Sequence, residues 1–341
     1  MKSLLETTEI VRAHIWRHFV HPDTLMFYDF AWAGQGFCYL PTPEEIERGF
    51  PNAAGWNTGM ENPALNAGQY LAAVVLRHQF EPDAASIDEA RLLFAGLRHL
   101  FDIARDPGFL PRGVALDKES HYGNSSIDQY TMVLYGLFRY YQSALATEEE
   151  KQAIRHIWHN VLWRWERDDW EDRREDGREA WYGDIGAIAP ARGCRLLAAL
   201  LGGWVVTGDE HWRRLYQQKL EEGGYARLKT DLPTLRTALY VFDQDQVAWR
   251  LLVDLEDDPH IRAEYQSHLA ATAGPVREWL LRYRQFDPTE HQQHIQSSNW
   301  DWRCACVPPR AGRKSQFRLQ QPLPRPGPGR SVRAPLRPGP L

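Results

Sequence analysis

The chain has 341 residues, 43% of them hydrophobic and 25% charged, and a net charge of −5. This balance is that of an ordinary soluble globular protein, long enough for one large domain or two small ones. No apolar run reaches the ~18 residues of a membrane span, which excludes an integral helical membrane protein, and the acids at Glu6 and Glu9 stand where an export signal needs its apolar core.

The first predicted element is an amphipathic helix from Leu4 to about Phe19, with Ile10, Val11, His14, Ile15 and Phe19 on one side. Residues 22–59 read as a long aromatic loop carrying Trp32, a type of segment that is usually functional. Helical hairpins follow. The first pairs a helix from Asn62 or Pro63 to about Phe80 with one from Ser86 to Ala104, and the second pairs Ser126–Ala144 with Glu148–Trp165. Thr147 and Glu150 form a capping-box pattern at the start of the latter. The third pairs Ile185–Val206 with Glu210–Glu222, and a fourth, less regular pair covers Leu232–Leu255 and Pro259 to about Phe286. No run of alternating strands interrupts them, so the expected class is all-α.

In each pair the first helix is rich in Ala, Gly, Leu and Tyr, and the second in Arg, Glu and His. An all-round apolar helix is buried and a charged stripe faces water. The first members are therefore expected to form an inner ring and the second an outer one, an (α/α) toroid over residues 1–306, with about four to five countable hairpins leaving the ring complete or incomplete. Residues 307–341 hold nine Pro, eight Lys or Arg and no acid, a disordered composition. The abrupt change just after Trp302 equally fits an out-of-frame segment. Without this tail the body carries 32 basic against 45 acidic residues, which argues against nucleic acid binding by the folded part. Four scattered cysteines give no disulfide framework, and Cys304-Ala305-Cys306 lacks a second ligand pair at zinc spacing. Neither a metal nor a cofactor is expected, the compartment reads as cytoplasmic, and the oligomeric state is not readable.

Three junctions lead into the inner helices: Trp56-Asn57-Thr58-Gly59-Met60-Glu61-Asn62, His121-Tyr122-Gly123-Asn124 running on to Asp128-Gln129-Tyr130, and Trp181-Tyr182-Gly183-Asp184. A ring of hairpins turns all three toward one end. Glu61 and Asp128 hold equivalent first-turn positions and are the expected catalytic acids. The alternative for each is a helix-end charge favoured by the dipole. Trp32, Trp56, Trp181 and Trp300 are the aromatic residues expected to stack on a sugar; Asn62, Asn66, His121, Tyr122, Gln129 and Asp184 would complete substrate binding. Trp158, Trp163, Trp165 and Trp204 fall within helices and are expected to be packing. The acids from Asp168 to Asp176 read as a solvated run between arginines.

The segment Trp56–Asn62, with Gly68 and Leu71 following, and Asp128-Gln129-Tyr130-Thr131-Met132 resemble the six-hairpin glycosidase superfamily over roughly Phe19 to Trp302. The resemblance implies an (α/α)6 toroid acting on carbohydrate. In its unsaturated-uronide hydrolases the Asp of such an Asp-x-x-x-Met segment is proton donor and base, which implies that role for Asp128. The expected function is hydrolysis of a glycosidic bond by paired carboxylates, whose separation decides retention or inversion. A polysaccharide lyase using Tyr122 or His121 with Asn66, and a non-catalytic sugar-binding or helical scaffold, remain the alternatives.

Overall fold

The computed structural model describes residues 4–29, 37–189, 192–228 and 239–283. All belong to the compact unit Met1–Trp300; the unit Asp301–Leu341, with Cys304, Cys306 and the Pro/Arg-rich tail, lies outside the described residues, as do Trp32 and Trp300.

The described chain is mostly helical. It runs through α1 (Leu4–His18), α2 (Pro43–Glu47), α3 (Pro63–Phe80), α4 (Ala84–Ile103), α5 (Ile127–Gln142) and α6 (Glu148–Arg167). Two strands follow, β1 (Glu171–Arg173) and β2 (Glu179–Asp184), and then α7 (Gly193–Thr207), α8 (Glu210–Tyr225), α9 (Leu239–Leu255) and α10 (Pro259–Tyr283). Local chemistry sets many of these boundaries. Pro63 supplies the fixed φ of a first turn at α3. Thr42 and Glu45 close a capping box on α2, and Thr147 and Glu150 close another on α6. Gly208 ends α7 in the left-handed conformation that favours glycine.

Odd-numbered helices from α3 to α9 pack in succession, α3 on α5, α5 on α7 and α9, and α7 on α9, while α4, α6, α8 and α10 each lie against the helix before them. The division follows the residues. In α7, Gly193 to Gly203 are buried all round, whereas α6 buries only a stripe containing Ile154, Ile157, Trp158, Val161, Leu162 and Trp165. The tightest contact joins α3 to α5. A Cβ at Gly136 would lie 2.1 Å from the Gly68 carbonyl oxygen, and one at Gly68 would meet the Met132 carbonyl at 2.6 Å. Two helices meet backbone to backbone there, which only glycine permits.

Two expectations need correction. The third inner helix begins at Gly193 instead of Ile185, because Glu171–Asp184 forms an antiparallel hairpin with an irregular register, Glu171 opposite Asp184 and Arg173 opposite Glu179. The acidic run from Asp168 is exposed as expected at Asp169, Glu171 and Asp176, but Asp172 departs from it. Asp172 is 1% exposed and ion-paired with the buried Arg164, which also holds Asp106 at 2.8 Å. No described helix is long and apolar enough to cross a membrane.

Candidate functional site

The first junction is a folded turn. Asn52 accepts from the Ala54 and Trp56 amides and donates to the Trp56 carbonyl, and Thr58 donates to the Gly55 carbonyl. Gly55, at φ +67°, lies over the Tyr122 ring, where a Cβ would come within 2.5 Å of ring carbons. Tyr122 is 2% exposed and its hydroxyl donates to the Phe50 carbonyl. The ring props the first junction against the second from behind.

Glu61 and Asn62 then enter α3 over a carboxylate that sequence reasoning missed. Asp29 Oδ2 accepts from the Glu61 amide (3.0 Å) and the Asn62 amide (2.9 Å), and Oδ1 accepts from Asn66 Nδ2 (2.9 Å). Asp29 lies 32 residues before Glu61 in an irregular loop, so no spacing betrays it. Burial lifts its pKa from 3.8 to about 7; the three N–H donors oppose this less strongly, and the negative charge of Glu61 adds to the rise. A proton can therefore reside on Asp29 near neutral pH.

The Glu61 and Asp128 junctions are tied together by two buried side chains. Arg112 donates through one nitrogen to the Glu61 carbonyl (3.0 Å) and through another to Ser126 Oγ (2.6 Å), and Ser126 donates in turn to Asp128 Oδ1. Gln129 donates to Asn62 Oδ1 (2.9 Å) and accepts from the Leu65 amide (3.1 Å). Both acids are half-buried. Glu61 Oε2 accepts from the Asn57 amide (3.1 Å), and Asp128 Oδ1 also accepts from the Gln129 amide (3.1 Å). Next to them, Asn124 and Ser125 are fully buried, with both Asn124 amide atoms and Ser125 Oγ unpaired among the described residues. Such groups are uncommon in a core and mark places where packing is not the sole demand.

The aromatic residues gather beside the first junction. Trp56 lies 4.7 Å from Trp181 and 5.9 Å from Tyr182, ring centre to ring centre, and Trp181 and Tyr182 are 45% and 50% exposed. Their hairpin is held by Glu175, whose amide donates to the Gly123 carbonyl (3.0 Å) and whose carboxylate binds the Arg105 amide (2.6 Å) and His121 Nε2 (3.0 Å). Burial would raise the Glu175 pKa, but the hydrogen bonds from His121 and Arg105 outweigh it and hold the carboxyl below the usual range.

Of the residues expected to touch substrate, Glu61, Asn62, Asn66 and Asp128 converge around Asp29, Arg112 and Gln129, and Trp56 and Trp181 meet beside them. Asp184 stands exposed on β2. Gln129, Tyr122 and His121 are corrected to supporting positions. Gln129 is fully buried with its amide spent between junctions, Tyr122 is beneath Gly55, and the two ring nitrogens of His121 contact Glu175 and the Glu119 carbonyl. Among the described residues, no group of three or more His, Cys, Asp or Glu side chains could hold a metal ion. Comparison with protein-family models, curated proteins and solved structures finds no match to this chain.

Asp29 gives a pH prediction. A raised folded-state pKa means that protonated Asp29 contributes stability that is complete below the unfolded value of 3.8 and is lost as pH rises through about 7. Asp29→Asn keeps an oxygen acceptor but cannot ionise. Thermal unfolding followed in pH steps should show this falling component between about pH 4 and 7 in the parent and not in the variant. Equal slopes in the two proteins would contradict the assignment.

Proposed function

We propose that the protein is a carbohydrate-active enzyme that hydrolyses a glycosidic bond on an α/α toroid of the six-hairpin glycosidase kind, with Asp128 and Glu61 as its working acids. The reading rests on one observation above all: the Glu61 and Asp128 junctions are locked to each other through Arg112 and Gln129, beside half-buried Trp56 and the exposed Trp181 and Tyr182. Aromatic faces suit the C–H faces of a sugar ring, and the amide of Asn66 suits its hydroxyls. One carboxyl would donate a proton to the glycosidic oxygen while the other serves as base or nucleophile, the requirement common to retaining and inverting hydrolysis. Asp29, able to hold a proton near neutral pH, fixes the amides of Glu61 and Asn62 and orients Asn66. Elimination by His121 and Tyr122 is the weaker reading, because their ring nitrogens and hydroxyl are committed to Glu175, Glu119 and Phe50.

Incubation of the purified protein with a broad oligosaccharide panel tests the proposal. New reducing ends without an unsaturated chromophore are expected. An accompanying ultraviolet-absorbing unsaturated product would assign a lyase instead, and neither signal across the panel would leave a binding or scaffold protein.

A further inference from the structure

Among the tryptophans expected to be packing, Trp163 departs from its neighbours. Trp158 and Trp165 on the same helix are 0% and 1% exposed, whereas Trp163 is 44% exposed. It belongs to the outward stripe of α6, with Asn160 and Glu166 three residues to either side and Arg167 four residues along. These residues, together with His159 and Pro107, line a groove of about 500 Å³. That is within the usual range of small-molecule sites, about 300–1,000 Å³.

The indole is held as a fixed platform. The His211 ring from α8 lies parallel to it, 5.2 Å away and 7° from coplanar. Glu166 binds His211 Nε2 through both carboxylate oxygens, at 3.0 and 2.8 Å, and Trp212 meets Trp163 edge-on at 5.3 Å. A surface helix needs none of this to remain soluble. A rigid, half-exposed indole flanked by a planar amide, a guanidinium and a carboxylate is instead suited to a ring with one apolar face and a polar perimeter.

We propose that this groove is a second carbohydrate site, which stacks a pyranose ring of the polymeric substrate on Trp163 and takes its hydroxyls with Asn160 Oδ1, whose amide nitrogen contacts His156, and with the N–H groups of Arg167 beyond those that hold Asp106 and Asp168. The inference rests on the glycoside-hydrolase reading for its ligand class. Its location supports the pairing of the two sites. In helical hairpins an outer helix ends where the next inner helix begins, so the last turns of α6 flank the end that carries the junctions. Pro107 belongs to the same short segment as Arg105, which holds Glu175, and Phe109, whose ring lies 6.5 Å from His121. A polymer chain could thus be held at Trp163 while another part of it lies against the junctions that carry Glu61 and Asp128.

The test uses the full-length protein and its Trp163→Ala, Trp163→Phe and Trp56→Ala variants. Affinity electrophoresis in polysaccharide-containing gels measures binding, and reducing-end release from polymer and from a short oligosaccharide measures turnover. Trp163→Ala should weaken retention by the polymer about tenfold, leave turnover of the short substrate unchanged and be largely rescued by Phe. Unchanged retention in Trp163→Ala, with KM for the short substrate raised in Trp56→Ala, would overturn the second site while sparing the enzyme. Retention that depends on Trp163 without any turnover would support the groove and overturn the hydrolase. A loss of self-association by sedimentation in Trp163→Ala, with sugar retention intact, would assign the face to a second copy of the chain and overturn the proposal.

Discussion

Arg164→Met is expected to lower the unfolding free energy by about 3–5 kcal/mol, the range for removing one partner of a buried ion pair. The Arg164 side chain is 0% exposed and so is that of Asp172. Its guanidinium serves three acceptors, Asp172 Oδ1, Asp106 Oδ2 and the Arg173 carbonyl, and lies 5.2 Å from the centre of the Phe109 ring. Methionine fills much of the volume but supplies no charge, so Asp172 must either remain ionised in an apolar setting or take up a proton. Burial already pushes the Asp172 carboxyl upward, against the arginine that holds it down. The Arg164→Met/Asp172→Leu pair should recover part of the loss, because the cost lies chiefly in the stranded charge. Urea denaturation of the three proteins measures this. A loss below about 1 kcal/mol in the single variant would mean that the pair contributes as little as a surface ion pair.

Asp128→Asn should reduce turnover about 10²- to 10⁴-fold, the usual contribution of a positioned proton-transfer group. The substitution keeps an oxygen that can accept from Ser126 and from the Gln129 amide, so the helix start and the Arg112 bridge persist. Glu61→Gln likewise keeps an acceptor for the Asn57 amide and should fall by a comparable factor. Both losses should appear in kcat with little change in KM, while Trp56→Ala should chiefly raise KM, as expected for a residue that holds substrate without taking part in its chemistry. A fall of less than about threefold for Asp128→Asn, on a substrate the parent protein cleaves, would remove it from the chemistry.

Much of this helical framework is legible in the residues. Thr147 and Glu150 announce the start of α6, Pro63 announces that of α3, and the apolar and charged helices separate by burial in the α5/α6 and α7/α8 pairs, though α3 and α4 are buried alike. The third junction is not legible, because a strand of six residues with Trp181, Tyr182 and Gly183 in it looks like any aromatic loop. Its pairing depends on Gly183, where a Cβ would come within 1.9 Å of the Asp172 carbonyl oxygen. Asp128 stands out by its place in the first turn of α5, but Glu61 does not share the first-turn position expected of it, since it lies two residues before Pro63, where α3 begins. Asp29 and Arg112 do not stand out, since what matters about them is a partner 32 or 51 residues away. His121, Tyr122 and Gln129 show the converse. Their chemistry suits a ligand, but burial and neighbouring partners decide that they serve the scaffold.

The glycine contact between α3 and α5 separates what can vary from what cannot. Since Gly68 and Gly136 leave no room for any side chain, α3, which follows Glu61, and α5, which carries Asp128, cannot slide or spread without losing their closest fit. The hairpin bearing Trp181 and Tyr182 has no such restriction at its exposed rings. Changes of ligand preference should therefore accumulate at those rings, and a library randomised there offers a route to altered selectivity with the spacing of the two acids left intact.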